Sequence, residues 1–562
     1  MKNILKYLMV LGIAAFGFTA CVDDLNVTPK DPNSIQYFDQ NGIFTKIYAT
    51  LGLTGQKGPD GNGDVEGIDE GVSAFVRMIF ELNVFPTDEG WWIYDGDSGM
   101  PDLRVISWTA NNSLVTGIYY RLYFDISLCN HFLENASAEG DGAEQIAEVR
   151  LIRALNYYYL LDMFGSVPFA LKVTSEAKPQ YSRVELYNWL EGELKELESI
   201  LPEQRLSDYR VDRVAAKMLL ARLYLNAEVY TGTAHWDLAR DKAKEVMNSQ
   251  YKLCKDNSGS YSAYQKLFMG DNHKYIGGTN GEGILNIYQD GVMTQCWGGA
   301  RFMCSAFRDE KYNYFGISDT WSCFRTSPEF LSKWVNLDDV KETYSYTSGK
   351  STITRVFAKK EYRGDEFTMP KILGDDRAIL MSWKDGADTM QINGPANNGA
   401  FYECWSVLKW TGRYSIQDLN AVENIPGHSP DWPDTDIPFI RVAEAYMTYA
   451  EAQFRLGNSD EAKNAVQELR DRAHNTKPFT ITEEFLLDEW CREFYCEGRR
   501  RTDLVRFGRF AGPQADANQY SWEGRGGVKS GEPFVSLEAK YNVFPLPNSD
   551  VITQNLKQTE GY

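Results

Sequence analysis

Residues 450–458 read Ala450-Glu451-Ala452-Gln453-Phe454-Arg455-Leu456-Gly457-Asn458, and Ser459-Asp460-Glu461-Ala462 follow. Upstream, Ala443, Met447, Ala450 and Phe454 recur at the spacing of one helical face, which predicts a helix over 438–456. Gly457-Asn458 stops it. Ser459 is suited to cap a second helix over 460–473, whose Ala462, Ala465, Val466 and Leu469 make a matching stripe. Small residues at the crossing let two antiparallel helices approach closely.

This hairpin resembles a tetratricopeptide pair, and similar periods recur upstream. Ala147, Leu151, Ala154, Leu155, Tyr158 and Leu161 share one stripe of a helix over 144–164, which Gly165 ends. Further helices are predicted over 184–200, from Asp212 through Leu225, and over 236–247. The segment from Asp212 to Met247 reads as a second pair, although unrelated hairpins show the same period. Thr480 and Glu483 predict a capping box for a helix over 482–501. Residues 52–125 and 251–435 lack helical period and are rich in Gly, Asp, Asn, Trp and Tyr. The expected fold is mostly α, a helical-repeat frame carrying a large irregular, loop-rich ligand-binding subdomain, because function collects in long irregular insertions on rigid frames.

The first residues set the compartment. Lys2 and Lys6 precede an apolar run from Leu8 to Phe18, and Thr19-Ala20-Cys21 follows. A basic start, a short apolar stretch and small residues make a secretory signal over 1–20. The run is shorter than the roughly 20 residues a membrane span needs. Phe18-Thr19-Ala20-Cys21 resembles a lipobox, with Phe18 where leucine is usual, so Cys21 is the expected lipidation site. Residues 21–37 then form a tether. Loss of Lys2 and Lys6 takes the net charge from −20 to −22. Such acidity argues against nucleic acid as a partner and leaves neutral ligands open.

Eight cysteines beyond Cys21 show no CxxC spacing and read as buried thiols. Five histidines without an HExxH or HxxxH pair argue against zinc. Asp60, Asn62 and Asp64 begin like a calcium loop, but Val65 stands where the glycine is needed. Asp434 and Asp436 lie two residues apart between Pro433 and Pro438, and in an extended chain both project to one side. That spacing suits a hard cation, but on spacing alone charge at a helix start before Ile440 is the better reading. Trp91-Trp92-Ile93-Tyr94, Trp297 and Trp321 are flanked by Gly, Asp or Ser and read as loop aromatics. The C–H face of a sugar packs on an aromatic face, and its hydroxyl rim needs polar partners. For any single tryptophan a local loop core is the better reading, and only convergence of the clusters would make a platform.

Four stretches together resemble the SusD/RagB family of Bacteroidetes outer-membrane lipoproteins. They are Arg153-Ala154-Leu155-Asn156-Tyr157-Tyr158-Tyr159 through Phe169, Asp436-Ile437-Pro438-Phe439-Ile440-Arg441 with Ala450-Glu451-Ala452, Arg492 through Arg501 with Asp503-Leu504, and Phe544-Pro545-Leu546-Pro547 with the tail to Tyr562. Asp23-Asp24 resembles that group's surface-export signal. The resemblance implies a family-like N-terminal region over 38–250 and a C-terminal region over 251–562. The latter contains the insertion at 251–435 and the helix pair at 436–475. It also implies a non-enzymatic, surface-exposed starch-binding lipoprotein seated as a hinged lid on a SusC-like TonB-dependent transporter. Carried over from the family's starch-binding member, an aromatic arc falls on Trp92, Tyr94, Trp297 and Trp321. Polar contacts fall on Asp69, Arg77 and Asp97, where Asp97 replaces an asparagine. A structural Ca²⁺ site falls on Asp271, Asp434 and Asp436. Another glycan, a glycoside hydrolase and a protein-interaction scaffold are the rival readings.

Overall fold

The computed structural model describes residues 38–307, 316–382, 404–417, 427–513 and 537–562. The signal segment, Cys21 and the whole tether therefore lie outside the described residues. Among those described, no helix is long and apolar enough to cross a membrane.

The longer helices are α1 (Gln40–Gly52), α2 (Phe75–Val84), α3 (Ser113–Asn135), α4 (Gly142–Met163), α5 (Arg183–Ile200), α6 (Arg213–Leu225), α7 (Trp236–Met247), α8 (Ala443–Arg455), α9 (Ser459–Arg472), α10 (Glu483–Phe494) and α11 (Arg500–Arg506). From α3 to α9 each packs on the next, a continuous stack of antiparallel helices. The chain leaves that stack after α7 and re-enters it at α8, so the insertion interrupts the frame in sequence and not in space. Short strands clasp the insertion. β1 (Gly90–Trp92) pairs with β3 (Phe324–Thr326), and β2 (Gly283–Ile287) pairs with β6 (Ile437–Arg441), both antiparallel. A hairpin of β4 (Lys341–Ser348) and β5 (Ser351–Ala358) lies between them in the chain.

Local chemistry explains the helix starts. Asn112 caps α3 through Leu114 and Val115 N–H, and Ser182 with Glu185 makes a full capping box at α5. Gly165 and Gly457 take left-handed φ values of 76° and 84° at the ends of α4 and α8, as expected of helix stops. Two predicted caps move. Asn458, not Ser459, holds the N-cap of α9, and Thr482 rather than Thr480 caps α10 by accepting from Phe485 N–H at 3.1 Å. Helix α2 and the first part of α3 fall in residues 52–125, read from sequence as without helical period. Helix α2 does carry the helical pair Arg77 and Glu81, one turn apart and ion-paired at 2.7 Å, but its Gly- and Asp-rich surroundings hide it.

The motifs at 436–441 and 492–503 turn out to build the frame. Arg441 is buried and binds Glu282 at 3.0 Å, Glu493 at 2.7 Å and Glu497 at 2.8 Å. Arg500 binds both carboxylate oxygens of Asp88, at 2.7 and 2.8 Å. Beside that pair, Glu89 accepts from Cys496 N–H at 2.9 Å. Burial pushes the Glu89 carboxyl up from 4.5 to about 8. The folded state then holds a proton on Glu89 that the unfolded chain has released, so this group's contribution to stability falls as pH rises from 4.5 to about 8. Glu89→Gln is expected to give a shallower decline in melting temperature across that window, measured by thermal denaturation at stepped pH. An unchanged slope would remove Glu89 as its source.

The eight cysteines after Cys21 are buried and free, as their spacing predicted.

Candidate glycan-binding surface

Trp297 is set facing outward by its neighbours. Cys296 points inward, with its thiol on the Gly52 carbonyl at 3.2 Å. Gly298 packs so closely that a Cβ there would stand 2.2 Å from the Ala74 Cβ, and one on Gly71 would stand 2.4 Å from the Trp297 Cβ. Glycines at both places let the 296–299 loop seat against residues 71–74, and the indole between them is 38 % exposed.

Trp321 lies beside it. Its N–H donates to the Ser305 carbonyl at 2.7 Å, and Ser322 turns the chain with φ 57°, a conformation uncommon outside glycine. The Trp297 and Trp321 rings are 6.3 Å apart and tilted by 42°. Arg301 spans them, 5.6 Å from one ring and 6.0 Å from the other. The same guanidinium pairs with Asp319 and donates to the Asp431 carbonyl at 2.9 Å, so it ties three loops together. Arg77 approaches Trp321 from behind, 5.9 Å from its ring, and binds Glu81 at 2.7 Å and Asp97 at 3.7 Å. Exposed Asp69 adds its charge to this group. Burial raises the Asp97 carboxyl, Arg77 opposes that shift, and Asp69 reinforces it.

Of the predicted arc, Trp297 and Trp321 thus come together, with Asp69, Arg77 and Asp97 close behind. Tyr94 is 46 % exposed, folded over Gly96, where a Cβ would meet its ring at 2.3 Å. Among the described residues no ring contact joins it to the two indoles. Trp92 is corrected: it is only 1 % exposed and is no open platform. Strand β1 lays it under β3, stacked on Phe85 at 5.0 Å and 29°. Phe302 stands between it and Trp321, 6.0 Å from Trp92 and 6.3 Å from Trp321. Glycine and aspartate neighbours mimic a loop, but long-range strand pairing decides otherwise.

The predicted calcium set does not assemble either. Asp271 is held by Ser415 N–H at 2.8 Å, the Ser415 hydroxyl at 2.7 Å and Lys274 at 3.0 Å. Asp434 binds Gly291 N–H at 2.6 Å, the Tyr414 hydroxyl and His428. Asp436 accepts from Gln289 N–H at 2.7 Å and from the Tyr209 hydroxyl at 3.1 Å, and burial pushes it up to about 7. Among the described residues no three Asp, Glu, His or Cys side chains form a group able to hold a metal ion. Separate hydrogen-bond donors already serve each carboxylate.

Sequence reading missed Trp432, whose ring lies 4.8 Å from that of Trp297 at 59°. The available signal was the loop-like Asp431-Trp432-Pro433, overshadowed by the carboxylates that follow it.

A model of the SusD family matches residues 282–562, and one described as starch-binding associating with outer membrane matches residues 92–225. The chain is 39 % identical to the starch-binding protein SusD of Bacteroides thetaiotaomicron over 98 % of each chain. A SusD-like protein of Bacteroides ovatus is 22 % identical over 76 % of this chain and 71 % of its own. Among solved structures, a SusD-like protein of Bacteroides fragilis superposes with TM-score 0.63 at 16 % identity, covering 93 % of this chain and 96 % of its own. A laminarin-binding SusD-like protein gives TM-score 0.62 at 18 % identity, covering 93 % and 99 %. At such identities the two structures speak for the fold alone.

Proposed function

This chain belongs to the SusD family, and from that membership we propose that it is a non-enzymatic binding protein for starch and maltooligosaccharides at the outer membrane. The observation that carries the ligand class is the tilted pair of surface indoles, Trp297 and Trp321, backed by Arg77, Asp97 and Asp69. Two platforms inclined by 42° fit a chain that turns as it runs, as an α-1,4-glucan does, better than a flat ribbon. The polar groups beside them serve the hydroxyl rim. Nothing in this arrangement requires a reaction step.

The finer reading follows from the same membership. Cys21 carries the lipid, residues 21–37 are the tether, and the folded head faces outward over a SusC-like TonB-dependent transporter, to which it hands the captured glycan. The test of the ligand is affinity electrophoresis of the soluble protein lacking residues 1–21 in gels containing amylose or starch. Retardation is expected. Free migration in starch with retardation in another polysaccharide of a panel, laminarin included, would move the assignment to that glycan.

Arg301 is the residue that holds the two indoles at their spacing. Arg301→Lys keeps a charge but loses the planar fork that reaches Asp319 and Asp431 at once. Its expected cost is about tenfold in affinity, or ~1.4 kcal/mol, with the melting temperature kept. Calorimetric titration with maltoheptaose measures it, and unchanged affinity would show that the loops hold the rings without Arg301.

A further inference from the structure

We propose that Trp432 is itself a glycan-contacting platform, one further subsite beyond Trp297 for an additional glucosyl residue of a longer chain. The inference rests on the starch-binding reading of Trp297 and Trp321. Trp432 is partly exposed, and among the described residues Trp321 packs against the hydrophobic core while Trp432 does not. A structural role in the core is therefore not what fixes an indole there. Its ring continues the run. Trp297 stands between the other two, tilted by 42° to Trp321 and by 59° to Trp432, and no ring contact among the described residues links Trp432 to Trp321 directly.

The backbone beneath Trp432 is built to hold it still. Trp432 N–H donates to the Ser429 hydroxyl at 3.2 Å. The carbonyl of Asp431 accepts from Arg301 at 2.9 Å, and that of Pro430 accepts from Ser318 N–H at 2.7 Å. On the other side, Gly291 approaches so closely that a Cβ would stand 2.3 Å from the Trp432 carbonyl oxygen, and Gly291 N–H is bound by Asp434. An aromatic surface on a fixed backbone loses little conformational entropy when a ligand arrives, which favours its use in binding. Beyond Gly291 the surface continues apolar through Val292 and Met293, exposed by 67 % and 77 %.

The alternative is that Trp432 only buttresses Trp297, and ligand length separates the two. Maltotriose and maltoheptaose are titrated calorimetrically into the unmutated protein, Trp432→Ala and Trp432→Phe. As a subsite, Trp432→Ala loses about tenfold in affinity for maltoheptaose, keeps that for maltotriose, and Trp432→Phe recovers part of the loss. An equal loss for both ligands, or none for either, overturns the proposal. Oxidative footprinting of the unmutated protein tests the same point without a variant. Maltoheptaose is expected to protect Trp432 and maltotriose to leave it reactive, whereas equal oxidation with and without maltoheptaose overturns the subsite. If the unmutated protein binds neither oligosaccharide, the starch reading itself has failed, and the flat titration identifies that case.

Discussion

Trp297→Ala is expected to abolish retardation in starch gels while shifting folding stability by no more than about 1 kcal/mol. The indole is 38 % exposed and occupies the middle of the surface run, touching Trp321 on one side and Trp432 on the other. Its removal takes away a stacking face and loosens both neighbours at once. Central aromatic anchors of this kind cost about 2 kcal/mol or more on truncation, roughly thirtyfold in affinity. Capture by weak, repeated contacts does not survive such a loss at gel concentrations. The fold is spared because loop 296–299 is held by Cys296, Gly298 and Gly299, not by the ring. Thermal denaturation and affinity electrophoresis of one preparation check both halves. Retained retardation would remove Trp297 from the binding surface.

The opposite profile is expected of Trp92→Ala. Trp92 is buried, stacked on Phe85, with Phe302 on its outer side. Truncating a buried tryptophan removes its transfer free energy and leaves a cavity, at about 3–5 kcal/mol. The β1–β3 clasp and the support behind Trp321 weaken with it, so binding falls as a consequence of lost structure. Denaturant titration measures the loss, with a lowered midpoint as the signature. A variant as stable as the parent protein yet unable to bind starch would restore Trp92 as a direct platform. The two tryptophans look alike in sequence, with Gly90 just before Trp91-Trp92 and Gly298 just after Trp297, and the pair of experiments distinguishes surface from support.

Several features were legible because local chemistry dictates them. The stripe of Ala443, Met447, Ala450 and the left-handed Gly457 define α8 and its end wherever the segment sits. The same holds for α4 and Gly165, and for α6 with Asp212 as its cap. Trp297 and Trp321 were legible as loop aromatics because glycine or serine neighbours left no helical or strand period around them. The shift of the α10 cap from Thr480 to Thr482 shows the usual limit, since two threonines two residues apart offer the same side-chain oxygen. Helix α2 was overlooked although Arg77 and Glu81 mark one face a turn apart, because the Gly- and Asp-rich stretches on either side read as loop.

The sequence by itself determined helices α4 to α9 of the frame, the glycine stops and the stretches that mark the family, since hydrogen bonds four residues apart are set by near neighbours in the chain. Only the tertiary structure decided which loop indoles reach solvent and which carboxylates meet. Trp92 is buried because Gly90–Trp92 pairs with Phe324–Thr326, and Trp432 joins Trp297 because Arg301 and Gly291 draw the 427–434 segment against the 290–299 loop. Asp434 and Asp436 are both taken up by the 289–291 backbone and Asp271 by Ser415, each carboxylate with donors of its own. Contacts between segments far apart in the chain depend on the packing of every element between them, and no local pattern records that packing.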